Sequence, residues 1–262
     1  MCSKSRLPNR NKPDRSKPYA LSEESKKSAH EFACAIKTAS KLLQLLKPFV
    51  PSGQGRTVFN KLSAQLLRII RSGPEEHKGK RQISDGDIRL LHGFQLNPYK
   101  ALDSFMYFSP LIDLFPLERH LTISLPELHA DLFKTPEKAC GIALNFLVSI
   151  LPSEGDSPLP LVSEDLEFAY SSGRLSAKTI RFPLPYFPAY TLLVSMKAHF
   201  RIGNRNDSFL SGNRLHYAAS ILRAVYIKDG LIQEVPQVSS TPKKKSQALF
   251  QDTQTVRIKW NE

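Results

Sequence analysis

The chain has 262 residues, 41% of them hydrophobic, and a formal net charge of +13. That length can bury a sizeable core without staples. Its three cysteines (Cys2, Cys34, Cys140), odd in number and without a CxxC, exclude a disulfide framework. Nearly all the net charge sits in residues 1–81, which hold 18 Lys and Arg against 6 Asp and Glu, while the rest of the chain holds 19 against 18. A basic segment joined to a near-neutral body points to an anionic partner.

Residues 1–21 are rich in Lys, Arg, Ser, Asn and Pro and read as a disordered basic tail. No apolar run of signal-peptide type follows them. Ser22 reads as an N-cap, with Glu23 and Glu24 suited to the first turn of a helix. Ala29, Phe32, Ala33, Ile36, Ala39, Leu43 and Leu46 recur at helical spacing and predict the buried stripe of that helix, which Pro48 ends. Pro51, Gly53 and Gly55 mark a turn. A second helix over about 56–72 has the stripe Val58, Phe59, Leu62, Leu66 and Ile70, stopped at Gly73-Pro74. Residues 22–73 are therefore expected to be an amphipathic helical hairpin. Residues 74–86, polar and charged, are expected to be a linker.

The period then changes from 3.6 to 2. Alternating runs at 120–125, 142–150 and 191–202 predict strands, the last with Leu192, Val194, Met196, Ala198, Phe200 and Ile202 on one face. Its other face carries Thr191, Leu193, Ser195, Lys197, His199 and Arg201, so the strand reads as half-buried, with His199 pointing outward. Segments 93–97, 166–170, 177–183 and 218–228 are further strand candidates; 99–107 reads as a short helix or turn, and Lys228-Asp229-Gly230 as a turn. About seven strands in residues 87–236 predict a mainly antiparallel β-sandwich, making the chain α+β. Leu147, Leu151 and Leu193 fall on what should be the outer face, which implies that both faces of some strands are covered. Residues 237–262 read as a polar tail with the run Lys243, Lys244 and Lys245, and Thr255 to Trp260 as one added edge strand.

The stretch SKKSAHEFACAIKTASKLLQLLKPFV, Ser25 to Val50, resembles the start of a group of uncharacterised bacterial proteins. The resemblance implies a basic tail and a helical segment followed by a β-rich part. It covers about a tenth of the chain and implies no activity and no site.

Catalytic and metal-binding patterns are absent from the sequence. The seven histidines show no HxH, HxxxH or HExxH spacing, and there is no GxSxG. Gly53-Gln54-Gly55 lacks the Lys-Ser/Thr of a phosphate loop, and Glu164, Asp165 and Glu167 lack the glycine and spacing of a calcium loop. Cys34 and Cys140 read as buried free thiols. The longest apolar stretch, Gly141 to Leu151, is too short to span a bilayer.

The expectation is thus a non-enzymatic binding or structural protein, without cofactor or metal, soluble and cytoplasmic. It would contact nucleic acid or another polyanion through Lys26, Lys37, Lys41, Lys61, Arg68 and Arg71. The alternative is a scaffold whose hairpin self-associates or docks on a protein partner through a seam including Leu43, Leu62 and Leu66. An interfacial membrane helix, suggested by Leu42, Leu43, Leu45 and Leu46 beside Lys41 and Lys47, ranks below an ordinary helix–helix seam.

Overall fold

The computed structural model describes residues 21–153, 157–204 and 207–233. Two helices come first, α1 (Glu23–Leu46) and α2 (Gly55–Arg71), followed by strands β1 (Leu111–Phe115), β2 (His120–Leu125), β3 (Leu128–His129), β4 (Ala139–Pro152), β5 (Leu159–Val162), β6 (Leu166–Ala169), β7 (Arg174–Leu175), β8 (Lys178–Pro183), β9 (Ala189–Asn204), β10 (Asp207–Leu210), β11 (Tyr217–Lys228) and β12 (Leu231–Ile232). All strand pairings among the described residues are antiparallel. The central sheet runs β12-β11-β9-β4-β5, with β10 added to β9 and β6 to β4; β1-β2-β8 form a second sheet, and β3 and β7 a two-stranded one.

Two cores meet at the central sheet. On one face Ile142, Leu144, Phe146, Val148 and Ile150 of β4 and Leu192, Val194, Met196, Ala198 and Phe200 of β9 pack with Leu121, Ile123 and Leu125 of the smaller sheet. On the other face Leu147, Leu151, Leu193, Ala219, Ile221 and Ala224 pack under Ala35, Ala39, Leu42 and Leu46 of α1 and Val58, Leu62, Leu66, Ile69 and Ile70 of α2. The apolar residues expected on the outer face of the sheet are thus covered by the chain's own helices. The side-chain parity of β11 switches at a bulge between Ile221 and Arg223, which keeps Ala224 on the helix side as Ala219 and Ile221 are before it.

Several expectations are corrected. The strands are not shared between two similar sheets of a sandwich: seven belong to the central sheet, a smaller three-stranded sheet covers one of its faces and the helices cover the other, because both faces of β4 and β9 are apolar and each needs its own cover. The two-helix hairpin gives way to one long helix, α1, a 3-10 turn at Lys47–Phe49 and the shorter α2; both helices lie down on the sheet. Residues 93–97 make one bridge, Gln95 with Ser220, instead of a strand. Residues 74–86, read as a linker, are packed: a Cβ at Gly86 would lie 1.8 Å from the Ile69 carbonyl oxygen, so the backbone crosses directly over the end of α2. The turn at Lys228-Asp229-Gly230 forms as expected, with positive φ at Asp229 and Gly230 joining β11 to β12. The tail residues 237–262, including Lys243 to Lys245 and Thr255 to Trp260, lie outside the described residues, as does Cys2.

The buried face of α1 is also rotated from the expected one. It comprises Glu31, Ala35, Ala39, Leu42, Leu45 and Leu46, whereas Phe32 is 54% exposed and Ala29 and Ala33 face solvent. α1 is apolar on two sides, and the side with small Ala35 and Ala39 is the one that can approach the sheet closely. This assignment separates two substitutions. Leu66→Ala is expected to cost about 2–5 kcal/mol in denaturant unfolding, and Phe32→Ala to stay within about 0.5 kcal/mol.

Candidate polyanion-binding face

α1 starts where the sequence indicates. The Ser22 hydroxyl accepts the Ser25 amide at 3.2 Å, and Glu23 and Glu24 stand at the positive end of the helix. α2 begins at Gly55 without a side-chain cap and carries Arg68 and Arg71 in its last turn, where cations suit the dipole. Both helices cover the same sheet face, so their exposed sides form the outer surface of one layer.

Five of the six residues expected to meet a polyanion are charges with little or no internal neutralisation. Lys37, Lys41 and Lys61 are exposed and make no ion pair among the described residues. Arg68 is exposed and donates to the Gln65 side chain at 3.5 Å. Arg71 is half-exposed, its Nε 3.9 Å from Glu31. Lys26 differs: it is exposed but paired with Glu23 at 2.7 Å. At 3.6 residues per turn Lys26, Lys37 and Lys41 form one line on α1. The exposed Lys47 and Arg56, not among the residues expected, extend the surface. A plainer signal marks it: from Phe32 to Pro74 the sequence has no Asp or Glu at all.

The acidic groups nearby are committed elsewhere. Glu31 is buried; its carboxylate accepts the Gly79 amide at 3.0 Å and lies 3.6 Å from Arg81, which is itself buried and donates to the Pro74 carbonyl at 2.7 Å. Lys78 bridges Glu24 at 2.7 Å and Glu75 at 3.3 Å. Lys78 holds the Glu24 carboxyl below its usual range, and Arg81 does the same for Glu75. These bonds tie residues 74–81 to α1 and leave the 32–74 stretch as the unneutralised part of the layer.

The remaining candidates from the sequence fall into structural roles. Asp165 accepts from Asn145 at 2.6 Å, and Glu167 pairs with Arg201 at 2.6 Å. Arg201, Glu167, Cys140, Tyr170 and Ser208 line a cleft of about 500 Å³, but the guanidinium is spent on Glu167 and on Ser208. Burial pushes the Tyr170 phenol up to about 12. Cys34 and Cys140 are free and half-buried, and burial raises the Cys34 thiol. Among the described residues no group of three or more His, Cys, Asp or Glu is arranged to hold a metal. No helix among them is long and apolar enough to cross a membrane. Leu62 and Leu66 of the expected association seam are occupied in the chain's own core, with Leu43 at its margin.

His199 does not point outward into solvent. Its Nε2 donates to the Ser211 carbonyl at 2.7 Å, its ring meets Tyr217 edge-on, and the Ser211 hydroxyl bonds His216 at 2.9 Å. Burial holds the His199 imidazole below its ordinary value. The fold therefore favours the neutral ring, so this contribution to stability is full above about pH 6.5 and is lost as pH falls below it. His199→Gln is expected to lose less stability than the parent chain between about pH 7.5 and pH 5.5, read from denaturant midpoints.

Comparisons with known proteins add little to this geometry. No family model matches the chain, and no curated protein matches it. A solved structure from work titled as CC2D1B coordinating ESCRT-III activity during the mitotic reformation of the nuclear envelope aligns over 76% of this chain and 71% of its own. The identity is 10% and the TM-score 0.19, a likeness too slight to bear on fold or function.

Proposed function

We propose that this is a non-enzymatic binding protein that meets a polyanion with the outer face of its α1/α2 layer. The observation that carries the reading is the exposed set Lys37, Lys41, Lys61 and Arg68 on a 43-residue stretch, Phe32 to Pro74, that holds no carboxylate. Charges of one sign on a rigid layer attract a polyanion by releasing its counterions, which needs no base-reading geometry. Lysines serve there as point charges and the arginine as a fork for an anionic oxygen pair. The exposed cations are spread along both helices rather than gathered at the start of one, which favours a contact blind to sequence.

The full chain is the material for the test, because α1 and α2 share a core with the sheet and their removal would strip it bare. Binding of the full chain to heparin and to duplex DNA is expected to weaken steeply with salt. The triple variant Lys37→Glu, Lys41→Glu, Arg68→Glu is expected to flatten the slope of log affinity for DNA against log salt by about 2–3. An unchanged slope, or no binding at low salt, would reject the reading.

A further inference from the structure

The exposed side of α1 is not simply basic. Along the helix, Ala29, Phe32, Ala33, Ile36 and Leu43 form a line about a quarter-turn from the line of Lys26, Lys37 and Lys41. Phe32 is 54% exposed, Ala29 and Ala33 are exposed, and Ile36 and Leu43 are half-buried. The chain's own core uses the side about a quarter-turn further round, Ala35, Ala39, Leu42 and Leu46, with Leu43 at its margin, so the apolar line lies between the core face and the lysines. A cleft of about 530 Å³ continues the line past the helix end, between Leu43, Lys47, Val50 and Pro51. A large aromatic standing in water beside unneutralised lysines, with a half-buried isoleucine next to it, is costly for a surface meant only for phosphates. They suit a surface that is anionic outside and apolar a few ångströms deeper.

We infer that the polyanion is an anionic lipid surface, on which α1 lies flat with Phe32 and Ile36 entering the acyl boundary and Lys37 and Lys41 at the headgroups. The inference rests on the polyanion reading above and names its ligand. Charge complementarity selects the occupant. The lysine line of α1 and Lys61 and Arg68 of α2 lie on one outer surface, and residues 1–20, with six Lys and Arg against one Asp, lead directly into α1. A basic sequence joined to a helix with an outward apolar line combines the two forces that hold a peripheral helix on a membrane, neither of which suffices alone. The leucines that suggested such a helix from sequence are mostly the wrong ones, since Leu42, Leu45 and Leu46 are buried; the residue that stands exposed is Phe32, with Ile36 half-buried beside it.

The test uses the full chain and sedimentation with vesicles of phosphatidylcholine alone or mixed with phosphatidylserine, beside heparin and duplex DNA. Binding is expected to the mixed vesicles and not to phosphatidylcholine. Phe32→Ser is expected to weaken vesicle binding about ten-fold while leaving heparin binding unchanged. Lys37→Glu with Lys41→Glu is expected to weaken both. Phe32→Trp adds an emission that shifts to the blue on the mixed vesicles, read against the parent's single tryptophan, Trp260. Vesicle binding that ignores Phe32→Ser, or an added emission in the Phe32→Trp variant that does not shift, would overturn the inference. Binding to heparin and DNA but not to vesicles would overturn it too and leave the polyanion reading standing. Binding to none of them would remove both.

Discussion

Strands β4 and β9 have almost no solvent face, and the rest of the architecture answers to that. Their alternating positions put Phe146, Val148, Val194 and Met196 on one side and Leu147, Ser149, Leu193 and Ser195 on the other, all buried. An uncovered apolar side of this length would be an aggregation surface, so each side requires its own layer. The small sheet with β2 and β8 covers one; α1 and α2 cover the other. The pairing of Leu147 with Ser195 and of Ser149 with Leu193 sets a small residue beside each large one, and Ala35 and Ala39 bring small side chains down from α1. Close packing between a long helix and a central sheet follows from these four small residues as much as from the leucines.

Once the helices are committed to the sheet, their outward residues are determined, and so is the surface available for a partner. The buried carboxylate of Glu31 is central to this. A charge placed on the buried side of α1 would be costly alone, but Arg81 and the Gly79 amide come to it from the segment after α2, and that segment is pinned as a result. The charged stretch after α2 is therefore a clasp holding α1, α2 and the crossing at Gly86 together.

Periodicity revealed much of this and misled where two signals overlapped. The strands at 120–125, 142–150 and 191–202 were legible because alternation is clean there. β1, bounded by Pro110 and Pro116, and β5, which contains Pro160, were not, since short edge strands rich in proline carry little pattern. The stripe of α2 was legible because it has only one. On α1 two apolar lines compete, and sequence spacing favoured the one containing Phe32. Glu31 sits on the buried line, and its partners Arg81 and Gly79 lie about fifty residues away, so only the fold shows how a carboxylate is held there. The same blindness applies to the candidate face: the basic residues were visible one by one, while their companionship with an exposed Phe32 depended on knowing which line the sheet takes.

The absence of carboxylates between Phe32 and Pro74 has an effect on the protein by itself. Seven cations, Lys37, Lys41, Lys47, Arg56, Lys61, Arg68 and Arg71, are held on a layer where, among the described residues, Glu31 is the one carboxylate that any of them pairs with. They repel one another most when the helices are docked and least when the chain is spread out, so the folded layer carries an electrostatic load. Anything that neutralises the face relieves that load as it binds. Occupancy and folding would then be thermodynamically linked: a polyanion bound as proposed would tighten the helices onto the sheet, and loosening the helices would loosen its hold.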